Sequence, residues 1–210
     1  MVRLRNIWQA LYPYAVFRTG KAVYLTFDDG PIPEVTPQVL EILERYRVKA
    51  TFFMVGENID KHPEVFRMVL KGGHAVGNHT YNHLKGWSTS FRDYMDNVAK
   101  WENTFNRQSI VNRQSSNHQF FRPPYGKATW RQRRALVQRG YRLIYWDVLT
   151  RDYDASVSAA DIMATIRRDT RPGSIINFHD SLKSAERTLA VLPQAIEWLQ
   201  AQGYELTLIN

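Results

Sequence analysis

The sequence predicts an α/β fold, a distorted or incomplete (β/α) barrel of about seven parallel strands, with an open doubly wound sheet as the alternative. Three observations point there. Seven short apolar segments recur along the chain, and segments with helical spacing fill most of the gaps between them. Polar clusters fall at the ends of the apolar segments, where parallel α/β folds place their chemistry.

The first strand is expected at Ala22–Phe27, an apolar run that ends in Asp28-Asp29 and is turned by Gly30-Pro31. Thr36-Pro37 reads as an N-cap followed by proline at the first helical position, and Val39, Leu40, Ile42, Leu43 and Tyr46 continue with helical spacing. Ala50–Val55 is the second strand, and Pro63 to Leu70 a helix closed by Gly72-Gly73. His74–Asn78 is the third strand. Phe91, Tyr94, Val98, Trp101 and Phe105 then form the apolar stripe of a long helix. Residues 106–118 read as a polar loop and Gln119–Phe121 as the fourth strand. Lys127 to Arg139 reads as a basic helix stopped by Gly140, and Arg142–Asp147 as the fifth strand. Ser158 to Asp161 has the pattern of a capping box before Ile162, Met163 and Ile166. Ser174–His179 is the sixth strand. A last helix runs toward Gly203 with Pro193 near its start or at a kink, and Glu205–Ile209 is the seventh strand. Residues 1–20 read as an N-terminal extension, residues 21–210 as a single domain.

At 210 residues the chain is long enough to bury roughly 70% of its unfolded surface without disulfides, and it has no cysteine. Any metal site is therefore restricted to His, Asp and Glu. The charge of +8 favours anionic partners, but no nucleic-acid motif accompanies it, so no specific nucleic-acid binding is expected. No apolar run is long enough to span a bilayer, and the first segment lacks a signal-peptide core and cleavage site. Read as it stands, the chain is cytoplasmic. Its oligomeric state is open.

The polar clusters carry the chemistry. Asp28 and Asp29 stand at the end of the first strand, where alternate side chains diverge and two carboxylates can take separate tasks. After the third strand comes His79-Thr80-Tyr81-Asn82-His83, two histidines four apart on one face of a helical turn. Two histidines and a carboxylate make a catalytic zinc set with an open position. Arg122-Pro123-Pro124-Tyr125-Gly126 is a rigid turn holding a cation after the fourth strand. Asp147 and Asp152 follow the fifth strand, and His179-Asp180 end the sixth.

These residues resemble the polysaccharide deacetylase family, carbohydrate esterase family four, over about Val23 to Leu208. Thr26-Phe27-Asp28-Asp29-Gly30-Pro31, His79-Thr80-x-x-His83 and Arg122-Pro-Pro-Tyr125 match three of its motifs. Two others are altered: the family's Asp-x-x-Asp-Trp stands here as Leu149-Thr150-Arg151-Asp152-Tyr153, and its Leu-x-His as Asn177-Phe178-His179.

The resemblance implies a metal-dependent hydrolase that removes N-acetyl groups from an N-acetylglucosamine-containing polymer such as peptidoglycan or chitin. A carbohydrate-binding pseudoenzyme and an O-acetyl esterase are the alternatives. Asp29, His79 and His83 would hold a divalent metal, zinc first, with cobalt or manganese as substitutes. Asp28 would be the general base steered by Arg122, and His179 the general acid, with Asp152 supporting His179 or Arg122. Tyr125 would offer its backbone N–H to the oxyanion, and Tyr153 would form part of the substrate groove. The family acts outside the cytoplasm as a rule. Asn177 replaces a leucine that encloses the acetyl methyl, so it is expected either to find a local partner or to face substrate. In the second case Asn177→Leu should raise kcat/KM.

Overall fold

The computed structural model describes residues 21–109 and 119–209. The expected N-terminal extension, residues 1–20, lies outside them, as does the expected polar loop from residue 110 onward. Among the described residues, eight strands form one sheet: β1 Ala22–Asp28, β2 Thr51–Met54, β3 Ala75–Asn78, β4 Phe120–Phe121, β5 Arg142–Leu143, β6 Val148–Leu149, β7 Ile175–His179 and β8 Glu205–Leu206. Seven follow the order β5-β4-β3-β2-β1-β7-β6, every pairing is parallel, and β8 pairs with the first two residues of β1. The sheet curls into a half-barrel that stays open between β5 and β6. The expected incomplete α/β barrel is the observed architecture.

Alternation along β1 divides the interior. Val23, Leu25 and Phe27 face the helices, where the Phe27 ring stacks against Phe52 (5.0 Å) and Phe178 (5.7 Å) in the main core. Tyr24, Thr26 and Asp28 face the inside of the curl. There Tyr24 packs with Phe53, Phe120, Ile144, Ile175 and Ile209, an apolar plug beneath a polar layer.

Among the described residues, seven helices cover the outer face: α1 Thr36–Arg45, α2 Gly56–Lys61, α3 Pro63–Lys71, α4 Phe91–Ser109, α5 Trp130–Gln138, α6 Ala159–Asp169 and α7 Ala185–Ala201. The capping box at Ser158 and Asp161 is present. Thr36 is not the cap of α1, which begins after Val35; its hydroxyl accepts from the Ile32 N–H and donates to Asp180 instead. The basic helix starts at Trp130 rather than Lys127, because Thr129 and Gln132 close a capping box there. Pro193 lies well inside α7. Residues 106–109 are helical, since Phe105 stacks on Trp101 and Arg107 reaches Asp60 at 2.6 Å, which carries α4 past the apolar stripe.

Two elements are additional to the expected set. Helix α2 is one short stretch after β2. Strand β6 arises because the run Arg142–Asp147 is not one strand. The Asp147 carboxylate accepts from the Ile175 N–H (2.7 Å) and the Ser174 hydroxyl (2.8 Å), and so starts a new pairing with β7. Asp147 thus sits at the starting end of β7, away from the mouth where the sequence placed it.

Candidate metal and catalytic site

Asp28 ends β1 and points inward; Asp29 follows with a left-handed backbone, φ 87°, and points across the mouth toward β3. The turn beyond is fixed by Asp180. Its carboxylate accepts from the Gly30 N–H at 2.9 Å and from the Thr36 hydroxyl at 2.6 Å. A Cβ at Gly30 would lie 2.0 Å from an Asp180 oxygen, so only glycine fits there. Burial of Asp180 pushes its pKa up to about 8 against those two donors. The Asn58 side chain donates to the Asp29 carbonyl at 2.8 Å and holds this turn from the side.

His79 follows β3 directly. Its Nδ1 lies 2.7 Å from the Arg122 carbonyl oxygen, which can only accept, so Nδ1 carries the proton and Nε2 keeps a free lone pair. Burial lowers the His79 pKa to about 4, keeping the ring neutral. The expected helical turn between the histidines is absent; Thr80 (φ 63°) and His83 (φ 55°) are both left-handed. The loop owes its shape to two side-chain amides, the buried Asn78 and the half-buried Asn97. Asn78 Oδ1 accepts from the Thr80 N–H at 2.8 Å, and Asn97 Oδ1 accepts from the N–H groups of Tyr81 and Asn82.

The result brings His79 Nε2 to 3.8 Å and His83 Nε2 to 3.2 Å from one oxygen of Asp29, Oδ1. The ligand atoms of the three residues lie within 4.8 Å of one another. Asp29 Oδ1 is buried and accepts no well-directed hydrogen bond, although both imidazoles are near. Burial alone would raise the Asp29 pKa, but His83, His179 and His79 outweigh it and hold the carboxyl below the usual range. An ionised oxygen and two imidazole nitrogens that converge on one point fit a divalent ion of the zinc type.

Beneath this cluster lies a closed polar layer. Arg122 is fully buried. Its Nη1 donates to Asp28 Oδ1 (2.7 Å), Asn177 Oδ1 (2.7 Å) and Thr26 Oγ1 (2.8 Å), its Nε donates to the Ile144 carbonyl (3.1 Å), and its guanidinium lies 4.0 Å over the Phe53 ring. Asn177 Nδ2 donates to Asp28 Oδ2 at 3.1 Å. Both Asp28 oxygens are therefore held, one by a cation and one by an amide. Of the two expectations for Asn177, it meets the first: it is fully buried in this layer and lines no open groove. Thr26 is no candidate on sequence alone. Its place two positions before Asp28, on the same strand face, was the available signal.

The opposite wall is built on β7 and the loop after β6. Asp152 accepts from His179 Nδ1 (2.7 Å), from the His179 backbone N–H (2.7 Å) and from the Thr188 hydroxyl (2.6 Å). It supports His179, and no contact joins it to Arg122. Burial would depress the His179 pKa, but the hydrogen bond and charge of Asp152, with Asp28 and Asp29 adding, raise it to about 9. The Tyr153 ring stands edge-on at 4.8 Å from His179. Across the mouth, Tyr125 sits in a left-handed turn, φ 59°, with its ring 4.7 Å from that of His83. Both tyrosines are largely open to solvent, and no sequence pattern marks Thr188 or Asn58 as their neighbours' supports.

A family model described as polysaccharide deacetylase matches residues 16–144 of the chain. That span holds Asp28, Asp29, His79, His83, Arg122 and Tyr125; Asp152, Tyr153, Asn177 and His179 lie beyond it. The chain is similar to a peptidoglycan-N-acetylglucosamine deacetylase of Bacillus cereus, 36% identical over 83% of this chain and 62% of that protein. It is also similar to a chitooligosaccharide deacetylase of Azorhizobium caulinodans, 33% identical over 91% of this chain and 94% of the other. A crystal structure of a peptidoglycan N-acetylglucosamine deacetylase in complex with 4-naphthalen-1-yl-N-oxidanyl-benzamide superimposes with a TM-score of 0.88. It is 31% identical and covers 96% of this chain and 93% of its own.

Proposed function

The chain belongs to the polysaccharide deacetylase family of hydrolases, and on that premise we propose that it removes the N-acetyl group from N-acetylglucosamine units of a glycan, using a divalent metal held by Asp29, His79 and His83. One observation carries this reading. A carboxylate, Asp28, and an imidazole, His179, each locked by its own partners, flank the metal-ligand cluster on two sides.

An amide is a poor electrophile, so its hydrolysis needs an activated water, a stabilised oxyanion and a protonated leaving nitrogen. A bound divalent ion supplies Lewis acidity and lowers the pKa of water beside it to about 7. Asp28 takes the proton of the attacking water. Arg122 and Asn177 aim its carboxylate and hold it in one rotamer, which a base needs if its oxygen is to meet a proton at hydrogen-bond distance. The backbone N–H of Tyr125 faces the developing oxyanion, a contact worth about 3 kcal/mol in comparable sites. His179, protonated at neutral pH because of Asp152, gives its proton to the departing amine. Acetate and a free amino sugar result. A proton donor and a proton acceptor of this kind each contribute roughly 10²–10⁴-fold.

Acetate release tests the proposal. Purified protein is stripped with a chelator, reloaded with zinc, cobalt or manganese, and offered chitooligosaccharides, peptidoglycan glycan and acetylxylan. Acetate from an N-acetylated glycan, dependent on added metal, is the expected result. Binding without release is the behaviour of a pseudoenzyme, and release from acetylxylan alone that of an O-acetyl esterase; either outcome overturns the proposal.

A further inference from the structure

Two exposed aromatic side chains, Tyr125 and Trp87, belong to two loops that are locked together beside the metal-ligand cluster, and a third, Trp130, opens helix α5 just after them. Trp87 sits in the 3-10 turn Gly86–Ser88, which follows the ligand His83 in sequence, and it is 63% exposed. The turn is firmly built. The Gly86 N–H donates to the Lys127 carbonyl at 3.1 Å, and the buried Gln132 side chain donates to the carbonyls of Gly86 (3.0 Å) and Thr89 (3.3 Å). A Cβ at Gly86 would lie 2.6 Å from the Lys127 carbonyl and 2.9 Å from Ala128 Cα, so the two loops meet closely enough to exclude any side chain there. The indole is thus held outward by ordered backbone, with little packing in return among the described residues. An open indole on a locked turn is what stacking against the apolar face of a sugar ring requires.

A cation stands directly beside it. Lys127 Nζ lies 4.7 Å from the Trp87 ring centre, and Arg131 and Arg134 follow on α5 against Phe91 and Trp130. Asp93, the acid nearest in sequence to Trp87, is turned to the Ser90 hydroxyl at 2.7 Å. The path back to the reaction centre is continuous through Gly126 and Tyr125, whose ring meets the metal ligand His83.

Resting on the deacetylase reading above, we propose that Trp87 and Lys127 form a sugar subsite beyond Tyr125 whose occupant carries a carboxylate. Trp87 stacks on the pyranose and the Lys127 ammonium pairs with the acid group, a charge-assisted contact that displaces its weaker one with the ring. The glycan served best is then an acidic one, in which the acetamido sugar to be deacetylated adjoins a carboxylate-bearing sugar.

Two tetrasaccharides test this: neutral N-acetylchitotetraose, and a peptide-free peptidoglycan tetrasaccharide of alternating N-acetylglucosamine and N-acetylmuramic acid. Binding is measured by calorimetry and hydrolysis by acetate release, for the zinc-loaded wild type, Trp87→Ala, Trp87→Phe and Lys127→Gln. Trp87→Ala should weaken binding of both glycans about tenfold, and Trp87→Phe should restore most of it. Lys127→Gln should weaken the acidic glycan alone, about fivefold, through KM rather than kcat, and flatten the salt dependence of its binding. Equal loss on both glycans, or on neither, for Lys127→Gln overturns the proposal, as does unchanged binding by Trp87→Ala or a wild type that binds neither. A wild type that binds both with these mutant effects but releases no acetate leaves the subsite standing and removes the deacetylase reading.

Discussion

Asp152 grips His179 twice, one carboxylate oxygen on the ring Nδ1 and the other on the backbone N–H, each at 2.7 Å. The double contact fixes the ring plane as well as the tautomer, and the buried carboxylate also accepts from the Thr188 hydroxyl. The imidazolium is therefore the favoured state in the fold. Because the folded pKa is raised to about 9, this contact contributes its full stability below the ordinary histidine range, near pH 6.5, and loses it as pH climbs through 9.

Asp152→Asn should accordingly drop the His179 pKa toward 6.5 or below and cut turnover at neutral pH on the order of 10²-fold, with metal content intact. Proton NMR titration of the metal-free protein reads the first effect and acetate assays the second. A His179 that still titrates near 9 in the variant removes Asp152 from its positioning role.

Asn177→Leu should lower activity. The expectation of a gain assumed a side chain facing the acetyl group, whereas the amide is buried between Arg122 and Asp28. Leucine leaves one Asp28 oxygen without its donor, a loss of roughly 1–3 kcal/mol, which corresponds to about 5- to 150-fold in kcat if it falls on the base. Kinetics of the folded, metal-loaded variant decide, and an unchanged or higher kcat discards the role.

His83→Ala should reduce metal content from about one ion per chain, because two side chains hold a divalent ion poorly. Asp28→Asn should leave the metal in place while cutting turnover heavily, since the two Asp28 oxygens are engaged by Arg122 and Asn177. Elemental analysis of both variants separates the cases: metal lost from Asp28→Asn would mean the two aspartates have exchanged tasks.

Asp180 supplies a pH test of the turn that carries Asp29. Its folded pKa, near 8, stands above the ordinary carboxylate value of 3.8, so between those pH values the folded state retains a proton the unfolded chain has released. Stability should therefore fall as pH rises through that window, and Asp180→Asn should remove that part of the slope. Denaturant unfolding of the metal-free wild type and variant from pH 4 to 8 measures the difference; parallel curves would contradict it.

How far the sequence foretells this molecule depends on the range of each interaction. Strand-end chemistry is local: Asp28, Asp29, His79 and His179 are legible because each ends an apolar run. The alternation that sends neighbouring carboxylates apart is equally local. The shape of the His79–His83 loop is not, since it depends on Asn97 reaching across from α4. Likewise the direction of the Asn177 side chain is decided by Arg122, a residue that follows the distant strand β4. Asp147 shows the same limit: the sequence sees an acid after an apolar run, and only the pairing with β7 reveals that it starts a strand rather than serving the mouth.

The strand order also has a consequence for how the molecule is made. Strand β1 is central in the finished sheet, yet its partner β7 is drawn from the far end of the sequence, with Thr26 and Asn177 separated by 151 positions. During synthesis the metal-ligand triad is complete in sequence once His83 has emerged, while the flank of β1 that β7 will cover is still a bare edge with unpaired N–H and C=O groups. The nascent protein thus passes through a stage that holds the proposed ligands but neither His179, the proposed acid, nor Asn177, with its central strand open to foreign pairing. Arrival of β7 closes that edge and delivers His179 in register with Asp28 in a single docking event. The exposed edge of β1 and the absence of His179 end together.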